Sequence, residues 1–163
     1  MKAQDVLAGA YKTSDMVLRT YISDLSDADL LHRPAAGCNH LAWQLGHLIA
    51  SEVSLLNSVC PNAAATLPSG FAERYSKETA KLDSPSAFDT KEEYVRLMDL
   101  NQAAALAAIA NVSEERLSEP GPDHFKPMFP TIGSVLILVA THGLMHSGQF
   151  VPVRRSLGKP VLI

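Results

Sequence analysis

The sequence predicts an all-α protein, an antiparallel four-helix bundle, and three observations carry that reading. Apolar residues recur at helical spacing through most of the chain, and the alternation of a half-buried strand is scarce. Ser, Asn or Thr stands where helix starts are expected, at Ser26, Asn39, Thr90 and Thr131. Pro and Gly cluster between the periodic stretches and punctuate them. Of 163 residues, 47% are hydrophobic and 19% charged, which suits a single folded domain over residues 1–163 with enough chain to bury a core.

The first helix is expected from Ala3 to Leu25, with Leu7, Tyr11, Val17, Leu18, Tyr21 and Leu25 along one stripe. Ser26-Asp27-Ala28-Asp29 has capping-box spacing and marks a short turn. Arg33-Pro34-Ala35-Ala36-Gly37 then breaks the chain, because Pro lacks an N–H donor and Gly favours turns. Asn39 is the expected N-cap of a second helix that runs to Val59. Residues 61–89 form a long connection between helices two and three, with a short helix expected over Phe71 to Lys81. Thr90 and Glu93 have the spacing of a reciprocal capping box for a third helix, Lys91 to Ala110. Thr131 caps a fourth, which runs to Leu157, with Gly158 at its C′ position and Pro160 beyond. Pro152 lies inside it and is expected to kink it or end it early, having no N–H for the carbonyl of Gly148.

The formal charge of −3 gives no electrostatic reason to expect nucleic acid or an anionic membrane as partner. The first residues lack the apolar stretch of a signal peptide, and the longest apolar run, Val135 to Ala140, is far below the ~20 residues that span a bilayer. The two cysteines, Cys38 and Cys60, form no Cys-x-x-Cys motif and are expected as reduced thiols in a cytoplasmic protein.

Among six histidines, His142 and His146 stand four apart. On a helix that spacing puts two imidazoles on one face, roughly 5–6 Å apart at Cβ, where both can reach one ion. No Glu follows His142, so the zinc-protease pattern His-Glu-x-x-His is absent. The apolar run just before the pair implies burial, and buried imidazoles need hydrogen-bond partners or a metal. Spacing leaves those two readings open. His47 lies in an apolar helix and can face the same interior, with Trp43 one turn earlier as a wall and Gly46 leaving room beside it.

Four blocks together resemble the DinB-like superfamily. They are Leu31-His32-Arg33-Pro34, Trp43-Gln44-Leu45-Gly46-His47-Leu48, His142-x-x-x-His146-Ser147-Gly148-Gln149 and Arg155-Ser156-Leu157-Gly158-Lys159-Pro160. The resemblance implies a four-helix bundle in which His47, His142 and His146 hold one divalent metal ion, zinc or nickel by preference. It also implies activation of a low-molecular-weight thiol or of water for transfer to a small electrophilic substrate, as in thiol-dependent S-transferases. The alternatives are a non-catalytic metal-containing ligand-binding or stress-response protein, or a metal-free polar network. A homodimer is expected from the resemblance and from the apolar end Pro160-Val161-Leu162-Ile163, which can equally fold back on its own bundle.

Other residues have plainer readings. Gln149 is expected in an interhelical hydrogen bond, and Glu52, about 140° around the helix from His47, as a solvated or interface carboxylate. Arg154 and Arg155 suit a helix C-terminus. Cys38 suits a small buried thiol. His124 suits an exposed loop, and Arg33-Pro34 a turn. His32 and His40 show no partner in the sequence.

Overall fold

The computed structural model describes residues 1–163. Four long helices form the bundle: α1 (Ala3–Ile22), α3 (Leu41–Val59), α5 (Lys91–Asn111) and α7 (Ile132–Ser156). Short helices α2 (Asp27–Leu30), α4 (Phe71–Arg74) and α6 (Glu114–Leu117) sit in the connections, with 3₁₀ turns at Lys77–Lys81 and Pro85–Ala87. Both α1 and α3 pack on α5 and α7, so α1 and α3 face each other diagonally across the bundle. The one strand-like pairing is an isolated bridge between Pro120 and Thr131.

The helix starts follow local chemistry, with two corrections. His40, not Asn39, is the N-cap of α3. Its Nδ1 accepts from the Trp43 N–H at 3.1 Å, while its Nε2 lies 3.0 Å from the Leu82 carbonyl oxygen. That second bond comes from the long connection and is invisible to sequence spacing. At α5, Thr90 Oγ1 accepts from the Glu93 N–H as expected, but Glu93 does not return the bond; its carboxylate accepts from Nε and Nη2 of Arg96, each at 2.7 Å. A cation one turn on outcompetes the neutral backbone donor.

Elsewhere α1 ends at Ile22, three residues before the expected Leu25, and Leu25 is buried beyond the helix end. The segment expected as one helix over Phe71 to Lys81 breaks after Arg74 into α4 and a 3₁₀ turn. Pro152 does not end α7, which runs four residues further. The carbonyl it leaves unpaired belongs to Gly148, an exposed residue where water can serve as donor. Gly158 follows with φ of 70°, the left-handed conformation that glycine adopts without a Cβ penalty.

The core lies in two apolar clusters. One gathers Leu18, Leu41, Leu45, Leu97, Phe150 and Val153; the other gathers Leu7, Leu56, Ile109, Val135 and Leu136. Full burial of such a side chain contributes about 1.5–3 kcal/mol. By length and composition α7 is the one helix apolar enough to cross a membrane, with an 18-residue stretch of mean hydropathy 1.2. It packs against both α1 and α3, while Ile137, Leu144 and Met145 on the same helix stay exposed.

Two arginines tie the ends and the long connection to the bundle. Arg154 is fully buried and clamps Asp24 through Nη1 at 2.6 Å and Nη2 at 3.1 Å, besides donating to the carbonyls of Tyr21 and Pro160. With Tyr21 Oη donating to the Ile163 carbonyl, it folds the C-terminal tail back onto the same bundle. Arg33 does more than shape a turn: it donates to Asp83 and to the carbonyls of Cys38, Ala80 and Leu82, holding the long connection in place.

Candidate metal centre

Helix α3 carries His47 and helix α7 carries His142 and His146, and the packing of α3 on α7 brings all three together. One ligating atom from each histidine lies within 4.8 Å of the other two. Ring centroids are 5.0 Å apart for His142 and His146, 5.5 Å for His47 and His146, and 5.8 Å for His47 and His142. All three side chains are half-buried.

Each ring is placed differently. His47 stacks flat on Trp43, centroids 4.9 Å apart and planes 8° from parallel. Trp43 is itself fixed by its indole N–H, which donates to the Ser76 carbonyl at 3.0 Å. His146 is oriented by Gln44. The Gln44 amide nitrogen donates to the Asn39 carbonyl, which turns its Oε1 toward His146 Nδ1 at 3.0 Å. A carbonyl oxygen only accepts, so Nδ1 carries the proton and the Nε2 lone pair is left for another partner. This is the arrangement by which a neighbouring group fixes the tautomer of a metal-binding imidazole. His142 has no such partner, and its Nδ1 is buried without any hydrogen bond within the chain.

Burial holds the imidazoles neutral. It pushes His47 down, helped by the positive charge of Lys77, and it pushes His142 down, helped by His47. His146 is pushed furthest, to about 4, by burial first and then by His142 and His47. Three neutral rings with free lone pairs, crowded together and one left with an unpartnered buried nitrogen, are a donor set that could hold a divalent transition-metal ion.

A signature of the DinB superfamily matches residues 10–150. The chain belongs to the DinB superfamily. Two solved structures share this family fold at low sequence identity. A conserved protein from Enterococcus faecalis aligns with a TM-score of 0.66 at 18% identity, covering 98% of this chain and 99% of that one. YfiT from Bacillus subtilis, described as a probable metal-dependent hydrolase with an unusual four-helix bundle topology, aligns at 0.60 and 16% identity, covering 96% and 89%. No curated protein matches the chain.

The other sequence candidates of this DinB-superfamily chain fall away from the three histidines. His32 Nε2 lies 2.8 Å from Ser156 Oγ, joining the end of α2 to the end of α7. His40 caps α3, and His124 packs against Phe125. Gln149 is exposed and makes no interhelical hydrogen bond, since it points off the packed face of α7. Cys38 is exposed, not buried, because it lies in the turn before α3.

Two residues gain a place that sequence did not suggest. Gln44 was visible only as part of a motif. Glu52, expected as a solvated or interface carboxylate, is partly buried and lines a space between all four long helices, where Tyr11 Oη donates to its Oε1 at 2.7 Å. Burial pushes Glu52 up to about 7, Asp15 adds to the rise, and the Tyr11 hydrogen bond opposes it. Between the ordinary carboxylate pKa, about 4.3, and 7 the folded chain therefore holds a proton that the unfolded chain has lost. Unfolding free energy of the metal-free protein is expected to fall as pH rises through that window, by about 3–4 kcal/mol, and then level off. Urea denaturation at pH 5 and pH 8 checks this, and Glu52→Gln, neutral throughout, is expected to remove that part of the slope.

Proposed function

We propose that the chain is a metal-dependent enzyme in which His47, His142 and His146 hold one divalent ion, zinc or nickel, beside a site for a small thiol or water and an electrophilic substrate. The single observation behind this reading is the meeting of three neutral imidazoles within 4.8 Å from two different helices. Three protein ligands leave coordination positions open, which is typical of catalytic rather than structural sites. When bound, such an ion lowers the pKa of a thiol or water and polarises a substrate oxygen.

The chain's own residues then position and exclude. Gln44 holds the His146 proton on Nδ1, so the ring keeps one orientation. Trp43 covers one face of His47 and keeps water from it. Lys77, whose charge reaches His47, adds to the burial that keeps that imidazole neutral. Membership of the DinB superfamily and the description given to YfiT support the metal-dependent reading; the choice between thiol and water belongs to this proposal.

The test uses protein purified without a polyhistidine tag. Turnover is assayed on a panel of activated esters, amides and alkylating electrophiles, with and without several cellular thiols. Activity is expected to disappear on chelation and to return with zinc or nickel. Protein that retains its metal and turns over nothing across the panel would identify a ligand-binding protein instead.

A further inference from the structure

The two apolar clusters of the core do not meet continuously. Between them lies a cavity of about 40 Å³, lined by all four long helices. Nine of its fourteen lining residues are hydrophobic, Tyr11 with its polar hydroxyl among them, and the remainder are Ser14, Asp15, Glu52, His142 and Gly143. A water needs roughly 10–15 Å³ of such space and two or more polar partners, so this cavity has room for about three.

The charges around the cavity are unequally matched. Asp15 is neutralised by Arg19 Nε and bonded by Gln102 Nε2, both at 2.7 Å, and Arg19 reaches on to Asp99. Glu52 has no cationic partner in the chain and one hydrogen bond, from Tyr11. A carboxyl set among apolar side chains without a counter-charge weakens a fold. The three histidines are unequally supported as well. His146 has Gln44, His47 has Trp43 and a long contact of 3.5 Å to Ser51 Oγ, and His142 has nothing. Yet His142 lines the same cavity as Glu52. The unsupported ligand and the unpaired acid thus face one water-sized space.

We propose that Glu52 is a positioning residue for the metal centre, acting on His142 through water held in the central cavity. The ring nitrogen of His142 not given to the metal donates to a cavity water, and that water donates to the Glu52 carboxylate, whose other oxygen is held by Tyr11. The carboxylate raises the basicity of the imidazole and fixes its tautomer, as a carboxylate does in direct contact. The divalent ion is in turn the counter-charge that Glu52 lacks. This rests on the reading of the three histidines as metal ligands.

Zinc dissociation constants of the wild type, Glu52→Gln and Glu52→Leu are measured by competition with a chromophoric chelator. The visible spectrum of each cobalt-loaded protein is recorded, as is the denaturation midpoint of each metal-free protein. Both variants are expected to bind zinc about tenfold more weakly, within the range seen when a group behind a ligand is removed. The cobalt bands of Glu52→Gln shift, and its metal-free midpoint does not fall. A purely structural role would lower the midpoint and leave the constant and the bands unmoved, and that result overturns the proposal. If the leucine variant does not fold, the near-isosteric Glu52→Gln decides alone: a zinc constant within twofold of wild type, with superimposable cobalt spectra, also overturns it. Wild-type protein that binds no zinc or cobalt removes this proposal together with the metal reading, whereas wild-type binding with indifferent variants removes this one alone.

Discussion

Alanine at His142 is expected to leave a folded helical protein almost free of metal. The i, i+4 pair on α7 supplies two of the three imidazoles, and His142 lies within ligating distance of both others. Removing it leaves two donors on separate helices. Changes behind a ligand already cost about 10–100-fold in metal affinity, so loss of the ligand itself should exceed 100-fold. His47→Ala should match it, and it also strips the stacking partner from Trp43. Gln44→Leu is expected to fall between these and wild type, at about 10–100-fold, because it removes only the acceptor of the His146 Nδ1 proton. The order is checked by elemental analysis of the purified proteins and by chelator competition, with circular dichroism to confirm helix content. Equal occupancy in wild type, His142→Ala and His47→Ala would withdraw the ligand assignment.

Gly46→Ala is expected to cause the largest loss of stability. In an exposed helix interior that change gains about 1 kcal/mol. Here a Cβ on Gly46 would stand 2.2 Å from Cδ1 and Cε1 of Tyr75 and 2.4 Å from its Cγ. Tyr75 cannot swing aside cheaply. It is buried, its ring packs on Phe71 with centroids 4.7 Å apart, and its hydroxyl is bonded at 2.7 Å to both Asp89 and Tyr94. Overpacking of this kind costs about 1–3 kcal/mol and occasionally more, and the severity of the overlap places this case near 3. For a chain of this size that corresponds to a fall in melting temperature of roughly 6–12 °C. Metal affinity should drop in the same variant, since the next residue is His47. Thermal and urea unfolding test the cost, and Tyr75→Ala combined with Gly46→Ala should recover part of it by emptying the space. A Gly46→Ala protein as stable as wild type would show that the long connection does not dock where it is described.

The role of Gly46 shows where sequence reasoning reached its limit. A glycine beside His47 reads as space for the imidazole. The space belongs instead to Tyr75, which arrives from the connection between α3 and α5 about thirty positions later. Arg33 and His40 make the same point. Their partners, Asp83 and the carbonyls of Ala80 and Leu82, lie in that connection, and no local pattern announces such a meeting. The setting of Glu52 is hidden from the sequence for a related reason. Its angle from His47 on α3 correctly separates the two, but the acid shares its cavity with a different histidine, on α7.

By itself the sequence determined what depends on short-range periodicity and local bonding. That covers the all-α class, the four long helices to within a few residues, the caps at Ser26, Thr90 and Thr131, and the common face of His142 and His146. These follow from a fixed turn of 3.6 residues and from side chains that reach backbone groups three residues away. Tertiary structure alone decided which surfaces meet. The packing of α3 on α7 brings His47 to the pair, Asn39 turns Gln44 toward His146, and the diagonal of α1 and α3 carries Tyr11 to Glu52. The physical reason is that helix packing is set by the shape of whole faces and by burial summed over the core, and neither quantity resides in any one stretch of residues.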